Sequence, residues 1–122
     1  MPLKKLVMQL GMGTDIQGES HTKAACRAVH NAIRQNVLTV ADAFGQPRNA
    51  MVIDVLIGVQ NPKAVDVNEV AAMLPYGRVH VSVEHGGMDT PKEDGGSVLL
   101  ANAAVTVSLD LAADVIAKVS TV

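Results

Sequence analysis

Between Gly11 and Gly18 the chain reads Gly11-Met12-Gly13-Thr14-Asp15-Ile16-Gln17-Gly18, after an apolar run and just before a helical pattern. Backbone N–H groups in such a loop, and at a helix start, lack internal partners and can hold an anion, an oxyanion or a ligand carbonyl. Asp15 has the chemistry of a general base, a metal ligand or a hydrogen-bond acceptor for a ligand amine, and equally of a carboxylate that closes or caps a turn. The spacing is not GxGxxG, because position 16 is Ile, and Asp15 would repel a phosphate, which argues against a dinucleotide site. Lys23 and Arg27 stand one helical turn apart in the first turns of the following helix, where the macrodipole favours acids. Basic groups placed there suit a clamp for a carboxylate or a polariser of a carbonyl, with Arg27 matched to planar anions. A salt bridge across a subunit interface is the competing explanation. The expected roles are Asp15, Lys23 and Arg27 as catalytic groups, and Gly11, Gly13, Gln17 and Gly18 as ligand contacts.

A second cluster, Glu84-His85-Gly86-Gly87, ends an alternating segment in which His80, Ser82 and Glu84 share one face. Two-residue strand spacing is a weak metal signal, so these side chains read as a polar rim and no metal is expected. Glu84 is expected to touch a ligand, with Gly86 and Gly87 forming a second backbone wall. Asn102 lies in an apolar strand, where a buried amide needs partners, and it is assigned a ligand or loop contact. Asp54 poses the same question. Ser97 with Lys92 is a conceivable nucleophile and base, although no motif joins them. Cys26, the single cysteine, reads as packing.

The elements that position these groups follow from periodicity. Leu3 to Leu10 reads as a strand and residues 11–20 as the Gly-rich loop. Thr22 to Gln35 reads as a helix with an Ala24, Ala25, Ala28, Val29, Ala32, Ile33 stripe, capped by Ser20 or Thr22. Residues 36–48 form a connection with a helical turn at Val40 to Phe44. Met51 to Val59 is a strand apolar on both faces, and Asp66 begins a helix that runs to about Leu74. Arg78 to Glu84 is a third strand, residues 85–96 a loop, Val98 to Leu109 a fourth strand, and Leu111 to Val119 a short helix.

A chain of 122 residues makes one domain, 1–122, and 48% apolar with 18% charged residues excludes disorder. Aromatics are 2% and net charge is −2, so neither base stacking nor phosphate neutralisation is available for nucleic acid. No apolar run reaches membrane-spanning length. No cofactor motif is present. One cysteine and no leader-like segment fit a cytoplasmic protein.

The order β-α-β-α-β-β predicts an α/β (α+β) domain. The right-handed crossover rule places both helices on one sheet face. The other face, apolar in strand two, then needs a cover, and a second copy of the chain is the simplest one. A cyclic homo-oligomer is expected, a trimer first.

The blocks Gly11-x-Gly13-x-Asp15-x-x-Gly18, Thr22-Lys23-Ala24-Ala25-x-Arg27-Ala28-Val29, Ile57-Gly58-Val59, Leu74-Pro75-Tyr76-Gly77, Glu84-x-Gly86-Gly87-Met88 and Ala101-Asn102-Ala103-Ala104-Val105 resemble a small conserved-hypothetical family of bacteria and plants with the motif GxGxDxHG. The resemblance covers about residues 3–109. Gln17 stands where that motif has His, which removes a group able to titrate near neutral pH. That family brings no established reaction with it. In overall layout the chain is similar to the trimeric folds of chorismate mutase and the ring-opening amidohydrolases. The resulting expectation is an oligomeric enzyme of hydrolase or isomerase type with an intersubunit site for a small anionic or cyclic-amide metabolite. The alternative is a non-catalytic ligand-binding or structural oligomer.

Overall fold

The computed structural model describes residues 3–34 and 39–110. Strand β1 (Leu3–Asp15) is followed by helix α1 (His21–Ile33), the short helix α2 (Val40–Ala43), strand β2 (Val52–Val59), helix α3 (Val67–Ala71), and strands β3 (Arg78–His85), β4 (Met88–Pro91) and β5 (Ser97–Asp110). The result is an α+β domain built on one mixed sheet, in the order β1-β5-β2-β3, with β4 also paired to β5. The expected helix at 111–119, and the end of the expected first helix at Gln35, lie outside the described residues. Among the described residues no helix is long and apolar enough to cross a membrane.

Two features differ from the periodicity reading. First, β1 and β2 run parallel but are not neighbours, because β5 lies between them and is antiparallel to both. A strand as long as β5, with buried Val105, Val107 and Leu109 on one face and buried Thr106 and Ser108 on the other, fits the central position. Second, part of the 85–96 loop is β4, which forms a hairpin with β5 closed by Lys92 N–H to Gly96 O at 2.7 Å. Its sequence, Met88-Asp89-Thr90-Pro91, is exposed throughout and so carries no alternating apolar signal.

The core lies between the sheet and the helices. It joins Ala24, Ala25, Ala28, Val29 and Ala32 of α1 to Ile53, Val55, Ile57 and Val59 of β2 and to Ala101, Ala103, Val105, Val107 and Leu109 of β5. Small side chains bring α1 close to the sheet, and Gly11 and Gly13 complete the approach. A Cβ on Gly11 would come within 2.6 Å of Ala32 N and would overlap Ala28 O. A Cβ on Gly13 would lie 2.6 Å from Arg27 C and would overlap Ala28 N and Ala24 O. These two glycines therefore belong to the helix–strand contact, since β1 continues through to Asp15 rather than ending at Leu10.

Helix α1 starts at Ser20, whose hydroxyl accepts the Lys23 N–H at 3.0 Å. Helix α3 starts at Asp66, whose carboxylate accepts from Asn68 N at 3.0 Å and Glu69 N at 3.4 Å. Thr22 links the two starts by donating to Ala64 O and accepting from Asp66 N. Among the described residues the other sheet face carries no helix. Three rows cross it in register: Met8-Thr106-Asp54-His80, Leu10-Ala104-Leu56-Ser82 and Met12-Asn102-Gly58-Glu84.

Because both backbones meet at Gly13, the substitution Gly13→Ala is expected to cost roughly 3 kcal/mol, at the upper end of overpacking penalties. Urea unfolding measures this, and a loss no larger than that of a surface substitution would mean that α1 can move away freely.

Candidate functional site

The expected site residues separate into two places. Asp15, Gln17, Lys23 and Arg27 gather around a shallow depression of about 250 Å³ beside the start of α1. Gly11, Glu84 and Asn102 border a larger concavity of about 580 Å³ on the bare sheet face.

In the first place most of the polar groups already have partners. Asp15 is only 2% exposed. Its carboxylate accepts from Gln17 N at 3.3 Å, Glu19 N at 3.1 Å and Ser20 N at 2.9 Å. Burial pushes its pKa up, but the N–H groups of Ser20, Glu19 and Gln17, with the charge of Lys23, outweigh that and hold it below the ordinary carboxylate value. An anion held this way organises the turn between β1 and α1 and is a weak proton acceptor. Gly18 closes the same turn at φ +74°, with its N–H on Asp15 O at 3.1 Å.

Arg27 reaches around the free edge of β1. Its Nη1 donates to Thr14 O at 2.6 Å and lies 4.0 Å from Asp15 Oδ1. One turn further along α1, Asn31 Oδ1 accepts the Met12 N–H at 3.1 Å. Backbone N–H groups of alternate strand residues point to opposite edges, so the Met12 N–H faces off the edge while Gly11 and Gly13 direct their amides into the β5 ladder. Their amides are therefore not available as a ligand cradle. Together Arg27 and Asn31 satisfy backbone groups on an otherwise open edge, a common protection against strand addition. The sequence reading missed Asn31, although its i+4 spacing from Arg27 was visible. Lys23 forms no side-chain ion pair or hydrogen bond among the described residues.

The second place is a hollow across the sheet. Ala104 is small and lies between Leu10 and Leu56 in one row, while Asn102 and Glu84 flank Gly58 in the next. Asn102 is exposed on this face rather than buried. Beyond Glu84 and His85, the Gly86-Gly87 segment crosses the end of β2. The two backbones come close there, since a Cβ on Gly86 would lie 3.1 Å from Gly58 Cα. Gly87 takes φ +61°, and Gln60 Nε2 fixes the segment by donating to Gly86 O at 2.9 Å and Gly87 O at 3.2 Å. The Gly86 N–H is bonded to Val59 O, so it offers no free donor to a ligand. Gln60 is a further residue that sequence reading missed, because it follows a strand with no motif of its own.

Other expectations can be placed directly. Lys92 Nζ donates to Ile16 O at 2.9 Å and lies 4.0 Å from Asp94, so it links the hairpin to the Gly-rich turn and forms no pair with Ser97. Cys26 is half-buried, and burial with the nearby Glu69 and Asp66 charges pushes its thiol up, away from reactivity. Among the described residues no cluster of His, Cys, Asp or Glu could hold a metal ion.

A carboxylate with a lowered native pKa adds stability above the ordinary Asp value near ~4. That contribution disappears as pH falls through the lowered native value. Asp15→Asn is therefore expected to be less stable by about 2 kcal/mol at neutral pH and to lose part of the parent's acid-side decline. Urea unfolding followed as a function of pH tests this, and identical acid limbs in the two proteins would remove Asp15 from the account.

No curated protein matches the chain. A crystal structure of an FtsZ-like protein of unknown function from Nostoc punctiforme is 39% identical, with a TM-score of 0.82, over 91% of this chain and 99% of that one. A family model described as Conserved hypothetical protein (Lin0512_fam) matches residues 5–107. With that match running from within β1 to within β5, the chain belongs to the Lin0512 family of conserved hypothetical proteins.

Proposed function

We propose that this protein is a cytoplasmic homo-oligomer that holds a small metabolite between its copies, with the bare sheet face as the contact surface. The observation that carries this reading is a contiguous apolar patch. Met8, Leu10, Met12 and Leu56 stand together on that face with 59, 69, 63 and 42% of their surface exposed. Patches of this kind on a folded domain mark contact sites. Each such side chain contributes roughly 2 kcal/mol when fully covered. A cyclic assembly, with three copies as the first choice, would enclose the 580 Å³ concavity and turn an open hollow into a site between subunits.

Two kinds of protein fit that arrangement. One is an enzyme of hydrolase or isomerase type acting on an anionic or cyclic-amide metabolite at the smaller depression, where Lys23 is a cation with no side-chain partner among the described residues. The other is a non-catalytic ligand-binding or structural oligomer. The saturated carboxylate of Asp15 favours the second at the Gly-rich turn, because it is not left to act as a base, and Arg27 has one of its five N–H donors committed to Thr14 O. The lone Cys26 suits a reducing compartment.

Sedimentation equilibrium tests the assembly. The parent is expected at a multiple of 12.7 kDa, and Leu10→Asp at the single-chain mass with an unchanged far-ultraviolet spectrum. Arg27→Ala should leave the assembly intact and lower stability by about 1 kcal/mol through the lost hydrogen bond. A parent that sediments as a single chain at micromolar concentration would refute the proposal.

A further inference from the structure

We propose that the concavity over Ala104 is a binding site for a flat cationic nitrogen ligand, an amidinium or protonated amine on an apolar body, with Glu84 as its charge partner. This deepens the reading of the bare face as the functional surface and does not depend on what covers that face.

The shape comes from one row of side chains. Leu10, Ala104 and Leu56 lie in register on β1, β5 and β2. Strands are about 4.8 Å apart, so the two leucines stand about 10 Å apart across the small alanine, with room for one flat ring between them. The hollow, about 580 Å³, falls in the range of small-molecule sites.

The sign of the ligand comes from charge. Among the described residues Glu84 is the one carboxylate on the wall, and neither Lys nor Arg lines the hollow. The Glu84 side chain has no ion pair or hydrogen bond among the described residues. An anion would meet a like charge there, and a purely apolar ligand would desolvate the carboxylate without compensation. A cation with N–H donors meets both demands through charge-assisted hydrogen bonds. Asn102, in the same row beyond Gly58, supplies a second polar anchor. His85 also borders the hollow, and the Asn31 amide keeps its N–H donors because only its Oδ1 is occupied by Met12 N–H. Lys23 and Arg27, the groups suited to an anion, border the separate depression at Asp15.

The test is calorimetric titration of the full chain near neutral pH with benzamidine, benzamide and benzoate, which share a shape and differ in charge. Benzamidine is expected to bind at least about tenfold more tightly than benzamide, a difference of about 1.4 kcal/mol, and benzoate more weakly than either. Glu84→Gln should erase the preference for benzamidine, and Glu84→Asp should keep part of it. Ala104→Leu, which fills the hollow, should remove binding of all three. The proposal is overturned if benzoate binds as well as benzamidine, if Glu84→Gln leaves the preference intact, or if none of the three binds at millimolar concentration. Sedimentation of the same samples separates this site from the oligomer. A single-chain protein that selects benzamidine through Glu84 supports the site and removes only the intersubunit reading. An oligomer with no such preference removes the site alone.

Discussion

The close contact between α1 and β1 is the constraint on which the rest of the structure depends. Two glycines on the strand meet a stripe of alanines on the helix, and the backbones approach until a single Cβ would overlap main-chain atoms. Such contact gives dispersion attraction over a long, smooth surface and leaves little freedom for sliding. It fixes the height of α1 over the sheet and its rotation about its own axis. With rotation fixed, the next residues around the helix, Arg27 and Asn31, arrive at the free edge of β1, where they meet Thr14 O and Met12 N. The start of the helix is fixed too, so the Asp15 carboxylate has three backbone N–H groups to collect in the turn that joins strand to helix.

The same contact leaves the protein two-faced. Among the described residues the helices pack on one side of the sheet, where β2 and β5 bury their odd-numbered residues. On the other side the even-numbered residues of β1, β5, β2 and β3 form a surface that changes from apolar to polar along each row, from Met8 to His80, from Leu10 to Ser82 and from Met12 to Glu84. An ordinary solvated sheet face would alternate in polar residues throughout. Here the apolar end lies on β1, against the edge that α1 protects, and the polar end lies on β3, beside the glycine crossing held by Gln60. A face with an apolar end, a small central residue and an unpaired carboxylate can serve recognition in a way that the helix-covered face cannot.

The charged groups near α1 illustrate how local chemistry is redirected by packing. Asp15, Lys23 and Arg27 have the composition of a catalytic constellation. Burial of Asp15 among N–H donors stabilises its charge and makes it a poor base. Arg27 satisfies a strand carbonyl. Among the described residues the Lys23 side chain beside a small depression, and the Glu84 side chain at the rim of a larger one, have no partner.

Much of the architecture was legible in the residues alone. The Ala stripe of α1, the alternation of β3, the two-sided apolar pattern of β2 and the caps at Ser20 and Asp66 are local signals, set by the 3.6-residue and two-residue periods and by side chains that bond within a turn. The bare sheet face followed from element order and crossover handedness. What only the tertiary structure decided is which residue meets which across the sheet. The insertion of β5 between β1 and β2, and the short exposed β4, depend on long-range pairing that leaves no period in the sequence. Gly11 and Gly13 read as loop glycines because a sequence cannot distinguish a glycine needed for positive φ from one needed for close approach. Asn102 read as buried because its neighbours along the strand are apolar, although it faces the hollow. The pairing of Glu84 with Asn102 across Gly58 exists only in register, since residues so far apart in the chain become neighbours only when three strands hydrogen-bond side by side.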